Sequence, residues 1–302
     1  NANSLDLQSG GTLDGDGNVL TIDGENSSGF AVNLDGAISG TDTDITITTA
    51  AATKLDLMGS SGNVRHLTIN HASCDAFLEA NTTTTGNLTI TLGKLTCTTE
   101  AGDARTLNVA GRTDIGPASG GSDQATLTAT SQDLVLGSGL TSSHALIVNQ
   151  GGTFVGGSGI HTIGSIDVKN NSNAKCTLTS GNTTVNSEKT SDDRNIVIGG
   201  SSTFSHGGGT IIITFAGTTH YDIDKTINNL TINHASAVQK LSDASNLAGD
   251  LTITAGEFNA NGRNLEVAGV VTNNGTLTLS SGTVDLGSTS AEAGDFQGSG
   301  TF

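Results

Sequence analysis

The heptapeptide LTINHAS occurs twice in the chain, at residues 67–73 and again at residues 230–236. In both places an LTIT segment begins 21 positions after the first leucine, at Leu88 and at Leu251. The similarity therefore extends beyond the heptapeptide. It indicates an internal repeat. Repeats of this kind are typical of architectures in which similar units stack on one another.

A shorter unit also recurs. Residues 11–24 (GTLDGDGNVLTIDG) align without a gap on residues 256–269 (GEFNANGRNLEVAG), and looser copies with a longer middle lie at 93–111 and 181–200. Each copy has a strand, a turn rich in Gly, Asn or Asp, and a second strand whose side chains alternate between two faces. The longer middles predict surface loops between fixed strands. One such unit cannot bury its apolar face alone, whereas stacked units can.

The apolar triplets recur at spacings near 20 residues, which predicts the fold class. Leu67, Leu88, Leu107, Leu127 and Leu146 each begin a triplet or lie within one. We predict an all-β chain that forms an elongated parallel β-helix, or β-solenoid, of about 20-residue coils, about 15 of them in 302 residues. The alternative is a tandem of β-sandwich domains, since spaced short strands also serve that fold. The turns, however, lack the regularity of two-residue hairpins.

The repeats predict one elongated repeat domain over residues 1–302. A candidate kink or boundary lies near 117–122, because the single proline, Pro117, is in the segment IGPASGGSD. Residues 209–227 and 282–302 share an opening Gly-Thr and a closing Thr followed by an apolar residue. In the first case NNLTINHAS follows, so we expect the chain to be a segment of a longer repeat array.

Composition excludes several kinds of partner. The formal net charge is −17, and such a chain is repelled by DNA, RNA and anionic lipid. No run approaches the roughly 18 apolar residues of a membrane span. We therefore expect neither nucleic acid nor a membrane as a partner.

The cysteines indicate neither a disulfide framework nor a zinc site. Cys74, Cys97 and Cys176 are odd in number and widely spaced, without a C-x-x-C pair. Cys74 aligns with Ala237 and Cys97 with Ala260 in the repeats, so we predict small buried residues rather than a thiol nucleophile.

One acidic segment resembles a calcium loop. Asp14, Asp16, Asn18 and Glu25 have the spacing of the calcium pattern, but Val19 stands where that loop needs glycine. The repeat places Asn259 and Asn261 at the positions of Asp14 and Asp16. Turn residues are therefore favoured over a calcium site.

Other polar residues also favour a structural role. His71 and His234 occupy equivalent positions without an equivalent acid or nucleophile beside them, and Arg105, Arg194 and Arg263 each precede an alternating strand. The close acidic pairs of the second half, Asp192–Asp193 and Asp222–Asp224, lie beside Lys or Arg and predict solvated loop charges. We predict no catalytic, cofactor-binding or metal-binding residue, no cofactor and no enzymatic activity.

The segments LTINHAS, GNLTIT and GEFNANGRNLEVAGVVTNNGTLTL resemble the Gly/Asn/Thr-rich β-solenoid repeats of bacteriophage tail fibres and other virion-surface proteins, and those of bacterial secreted adhesins. The resemblance is one of repeat style and composition. It implies a structural role on the virion surface or in the extracellular space. The partners it implies are further copies in a homo-oligomer, other virion or surface proteins, and a host-surface glycan or receptor.

Three functions remain open. The first is a non-enzymatic structural protein of a virion surface appendage, a phage fibre or decoration protein that acts as a rod or spacer and takes part in host attachment. The alternative is a bacterial secreted adhesin or extracellular filament subunit. The third is a tailspike-like polysaccharide-degrading enzyme. The lack of Trp and the single Tyr count against the enzyme, because sugar-cleaving sites combine paired carboxylates with aromatic platforms.

Overall fold

The computed structural model describes residues 2–39, 42–118, 124–286 and 296–301. They form an all-β solenoid of about 12 turns, in which parallel strands stack from turn to turn. The predicted fold class is confirmed. No helix of the described residues is long and apolar enough to cross a membrane.

The strands are short, and most have three to five residues. In the first half they are β1 (Leu5–Leu7), β2 (Thr12–Asp14), β3 (Val19–Ile22), β4 (Phe30–Leu34), β5 (Ala37–Ser39), β6 (Asp44–Ile47), β7 (Ala52–Asp56), β8 (His66–Leu78), β9 (Thr82–Thr84), β10 (Leu88–Thr96), β11 (Leu107–Val109), β12 (Thr113–Ile115), β13 (Ala125–Thr128), β14 (Leu134–Leu136), β15 (Leu146–Val148) and β16 (Gly152–Val155). In the second half they are β17 (His161–Ile163), β18 (Ile166–Val168), β19 (Lys175–Thr177), β20 (Asn182–Val185), β21 (Arg194–Ile198), β22 (Thr203–Ser205), β23 (Thr210–Ile213), β24 (Thr218–Ile223), β25 (Asn229–Leu241), β26 (Ser245–Leu247), β27 (Leu251–Asn259), β28 (Leu265–Val267), β29 (Val271–Asn273), β30 (Thr276–Thr278), β31 (Val284–Leu286) and β32 (Phe296–Gln297).

Each turn of the solenoid passes through three faces. In one turn β12, β13 and β14 form the first, second and third face, and in the next turn β15, β16 and β17 do so. Each strand pairs in parallel with the strand one turn later: β12 with β15, β13 with β16 and β14 with β17. The second face is interrupted after β22 and resumes as a separate sheet of β26, β28 and β31.

A ladder of β-branched side chains fills the interior of the first face. Nine residues lie in register on successive turns and are at most 1% exposed: Ile22, Ile47, Ile69, Ile90, Ile115, Val148, Val168, Ile198 and Ile223. Branched side chains pack well on a pleated surface. Because each Ile or Val packs on an Ile or Val of the next turn, the narrow core is filled without many aromatic residues.

The length of a turn varies more than the sequence predicts. Leu146 and its partner Ile166 are 20 positions apart, whereas Thr113 and its partner Leu146 are 33 apart. Longer loops between strands account for the difference. The chain therefore makes about 12 turns rather than about 15.

The two copies of LTINHAS lie on different faces of the solenoid. In the first copy, β8 carries Leu67–Ile69 on the first face and bends into the second face at Asp75–Leu78. In the second copy, β25 carries Leu230–Ile232 on the third face, against β23, and bends into the first face at Val238–Leu241, against β24. The positions of the two copies around the solenoid axis thus differ by one third of a turn.

The local structure of the two copies is nevertheless the same. Buried and exposed side chains alternate identically along all 13 residues of β8 and β25. His66 and Asn229, at equivalent positions, each accept the backbone N–H of the residue 21 positions later, Asn87 or Asp250, at 2.8 Å. The repeat therefore encodes a bend between two faces together with a side-chain hydrogen bond to the next turn. The same bend forms at more than one corner of the solenoid, where a corner is the junction of two faces.

The predicted boundary near residues 117–122 falls partly outside the described residues, which omit 119–123. On either side of it, β12 and β13 each continue a ladder with β10.

Candidate functional site

The calcium-like segment forms a tight turn. The backbone N–H of Asp16 donates to Oδ1 of Asp14 at 3.1 Å, and the N–H of Asn261 donates to Oδ1 of Asn259 at 2.8 Å. Asp16 and Asn261 have left-handed φ angles of 45° and 52°. Short polar side chains that bond the backbone two residues later favour this geometry. The prediction of turn residues is confirmed.

The repeated histidines make matching local contacts. Nδ1 of His71 accepts the N–H of Ser73, and Nδ1 of His234 accepts the N–H of Ser236, both at 3.2 Å. These bonds stabilise the bend that the two copies share.

The cysteines are buried, as predicted. Burial raises the thiol pKa of Cys74, Cys97 and Cys176 to about 12. A thiol with so high a pKa is not a nucleophile at neutral pH.

One residue of each acidic pair, Asp192 and Asp222, lines the same surface groove. This charged groove has a volume of about 470 Å³ and crosses several turns along the first face; its lining residues are Asp192, Arg194, His220, Asp222, Ser242, Asp243, Asn261 and Arg263. Parallel stacking explains the assembly, since loops from successive turns lie one above the other. The sequence predicted basic neighbours for these carboxylates, and Arg194 Nε lies 3.5 Å from Asp222 Oδ2.

The Asp222 carboxyl of the groove lies beside Arg194 and Asp243. Burial raises its pKa, Arg194 opposes the rise, and a hydrogen bond with the Asp243 carboxyl raises it further. Two adjacent carboxyl groups that share a proton can work as an acid and its conjugate base.

Two carboxylates of the groove and the neighbouring Asp224 could also hold a cation. Asp222, Asp224 and Asp243 each offer an oxygen, and these oxygens lie within 4.8 Å of one another. Oxygen ligands of this kind suit Ca²⁺ or Mg²⁺. The sequence predicted no metal ligand, because 18 residues or more separate Asp243 from the other two.

A second polar cluster, which we call the loop clasp, consists of residues 137–145 and 186–193. These loops belong to corners two turns apart and meet over the short corner at Gly164. Asn186 Nδ2 donates to Ser138 Oγ at 2.7 Å. A Cβ at Gly164 would lie 2.1 Å from the Gly137 carbonyl oxygen, so only glycine leaves room.

His144 lies inside the clasp and is 3% exposed. Its Nε2 is 3.9 Å from Asp192 Oδ2, and its Nδ1 has no hydrogen-bond partner among the described residues. Burial lowers the pKa of His144, while Asp167 and Asp192 oppose the change. The imidazole is therefore neutral at neutral pH. No sequence signal marked His144, because it lies in a loop outside the repeats.

No protein-family model, curated protein or solved structure matches the chain.

Proposed function

We propose that the chain is a non-enzymatic rod or spacer in a virion surface appendage, a fibre or decoration protein that takes part in host attachment. The observation that carries this proposal is the ladder of stacked Ile and Val side chains from Ile22 to Ile223. It supports a spacer because a continuous in-register core holds each turn on its neighbours and resists bending.

The surface of the solenoid supports an extracellular location. Acidic side chains outnumber basic ones by 29 to 12, so rods of this kind repel one another and stay dispersed. The three buried thiols have no need of a reducing compartment.

Localisation on particles tests the proposal. Antibodies raised against the purified chain would be applied to virus particles and to cells from the culture that yields the sequence, and gold label would be counted by electron microscopy. Label on virus particles is the expected result. Label on the bacterial surface would instead support the adhesin or filament subunit, and label confined to the cell interior would contradict both.

The charged groove supports a second candidate, a polysaccharide-degrading enzyme. Asp222 and Asp243 would supply the acid and base; because they hydrogen-bond to each other, a bound sugar would have to part them to the roughly 5–10 Å that glycosidic cleavage needs. Host polysaccharide would be incubated with the wild-type chain and with Asp222→Asn, Asp243→Asn and the remote control Asp23→Asn. Mass spectrometry would detect released oligosaccharides. Cleavage that only the groove variants lose would support this candidate, and no release by the wild-type chain would remove it.

A further inference from the structure

Two phenylalanines lie in line on the outer surface of the second face. Phe30 pairs with Lys54, and Lys54 pairs with Phe77, so the three side chains stand on successive turns. Phe30 and Phe77 are half-buried, and neither belongs to the hydrophobic core or to the side chains packed against it. The rings are two turns apart, about 10 Å. We call Phe30, Lys54, Phe77 and Lys94 the aromatic strip.

Each ring of the strip already has an ammonium group over it. Lys54 Nζ lies 5.5 Å from the centre of the Phe30 ring, and Lys94 Nζ lies 5.8 Å from the centre of the Phe77 ring. Cations within about 6 Å of a ring are attracted by the negative charge of its face. The chain's own lysines therefore mark two positions at which an ammonium group is stable.

A wall of carboxylates borders the strip. Glu100 follows β10 but pairs with Lys54 of β7, two turns earlier, at 3.0 Å. Its backbone N–H donates to Glu79 Oε1 at 2.9 Å, and Arg105 Nε donates to the Glu79 carbonyl oxygen at 3.0 Å. The loop after β10 therefore folds back along the strip and holds Glu100 beside the rings.

Negative charge exceeds positive charge around the strip. Asp75 pairs with Lys94 at 3.2 Å, and Glu25 Oε2 has no hydrogen-bond partner among the described residues. Burial raises the pKa of Asp56, and repulsion from Asp35 and Glu79 adds to the rise. Six carboxyl groups thus face three basic side chains: Glu25, Asp35, Asp56, Asp75, Glu79 and Glu100 against Lys54, Lys94 and Arg105.

We propose that the aromatic strip binds a polymer of β-linked amino sugars in its protonated form. A pyranose ring with an ammonium group has an apolar face to stack on Phe30 or Phe77 and a charge to meet Glu100 and Glu79. A basic peptide brings the charge without the flat apolar face. The surface of the second face is straight and holds the two rings at a fixed spacing, which also suits a stiff, extended glycan. This inference rests on the attachment role proposed above and names its ligand class.

Binding of matched hexamers tests the ligand class. Isothermal titration calorimetry with the full chain would compare a β-1,4-glucosamine hexamer, its N-acetylated form, the neutral glucose hexamer and hexalysine. The glucosamine hexamer is expected to bind most tightly, because only it combines ring faces with charge. Equal or tighter binding of hexalysine would mean that the surface takes a basic peptide and would overturn the proposal.

Variants of the strip test its residues. Phe30→Leu and Phe77→Leu keep an apolar side chain but lose the ring, so each is expected to weaken glucosamine-hexamer binding about three-fold. Glu100→Gln should weaken it as well. Val155→Ala, an outward position on the same face beyond the strip, is the neutral control, and thermal melts would show that every variant is folded.

Lysine variants separate the strip from general electrostatics. Lys54→Met vacates the Phe30 ring and releases Glu100, so binding should strengthen about three-fold. Lys175→Met makes the same charge change elsewhere on this face and should have little effect. Equal effects of the two, or Phe→Leu variants that bind as the wild-type chain does, would overturn the proposal. Absence of any binding would also overturn the proposal. It would not affect the proposed spacer role, which is tested separately by the location of the gold label.

Discussion

A buried position on the third face holds a histidine where the previous turn has a leucine. His161 is fully buried in β17, between Leu134 of the previous turn and Thr183 of the next. Neither ring nitrogen has a hydrogen-bond partner among the described residues. Its ring contacts Phe154 edge-on, with 6.4 Å between ring centres. Shape rather than polarity holds this side chain in place.

We predict that His161→Leu stabilises the chain by about 1–3 kcal/mol at neutral pH, because it removes two unsatisfied buried polar atoms. Burial lowers the pKa of His161 to about 4, against an ordinary value of 6.5. Between those values the unfolded chain takes up a proton that the native chain does not. Stability therefore falls with decreasing pH in this window, by about 1.4 kcal/mol per pH unit.

Urea titrations at neutral pH and near pH 5 would measure both effects, and the variant should lose the part of the acid dependence that His161 causes. Leu134→Ile, a change in the paired residue of the previous turn that removes no titratable group, should leave the acid dependence unchanged. Equal acid dependence of His161→Leu and the wild-type chain would contradict the prediction.

The buried thiols give a second prediction at this scale. Cys97 and Cys176 are fully buried with pKa values raised to about 12, so a thiol reagent should not modify them in the native chain at neutral pH. After denaturation all three thiols should react, and mass spectrometry of both samples would count them. Rapid modification of a native thiol would show that the turns open locally.

Among the structural elements, the bends between faces are the units that the repeats encode. Gly93 lies one turn after the bend of the first copy and has a φ of 91°. Gly256 lies one turn after the bend of the second copy and has a φ of 92°. A Cβ at either position would lie 2.5 Å from a carbonyl oxygen of the previous turn, that of His71 or His234. The two corners therefore exclude a side chain for the same reason, although they join different faces.

We predict that Gly93→Ala and Gly256→Ala destabilise the chain equally, each by about 1–3 kcal/mol more than Gly102→Ala. Gly102 is the matched control, because its φ of 99° is also left-handed but nothing lies within 4 Å of its Cβ position. Chemical denaturation would give the three values. A large difference between Gly93→Ala and Gly256→Ala would mean that the corners are not equivalent.

The molecule as a whole is a stack in which each turn contacts its neighbours. Phe154 is among the largest fully buried side chains and lies in register between Leu127 and Cys176. In such arrays stability is close to a sum of terms for each turn and for each contact between neighbouring turns. Damage to one turn should therefore stay near it.

We predict that Phe154→Ala costs about 3–5 kcal/mol and that amide exchange rises most in β13, β16 and β19. Strands near the ends, such as β3 and β30, should keep their protection. Hydrogen exchange with mass spectrometry would map the effect. A uniform rise along the chain would instead show that the solenoid unfolds as one cooperative unit.

The repeats and the alternation of apolar residues determined the fold class, the parallel stacking and the turn geometry at Asp16 and Asn261. Those features are local, since a strand, a turn and a pair of like neighbours can be recognised within some 20 residues. Aligned alanines likewise revealed that Cys74 and Cys97 are buried.

Only the tertiary structure decided which face each repeat occupies and which distant side chains meet. The face depends on the summed lengths of all intervening loops, so the two copies of LTINHAS, 163 positions apart, differ by a third of a turn. The same register brings Asp222 to Asp243 and Glu100 to Lys54. The sequence by itself determined the bend between two faces and the short strands of each turn, because these follow from local chemistry. The charged groove and the aromatic strip were decided by tertiary stacking, because each needs residues of several turns to line up at the same position across one face.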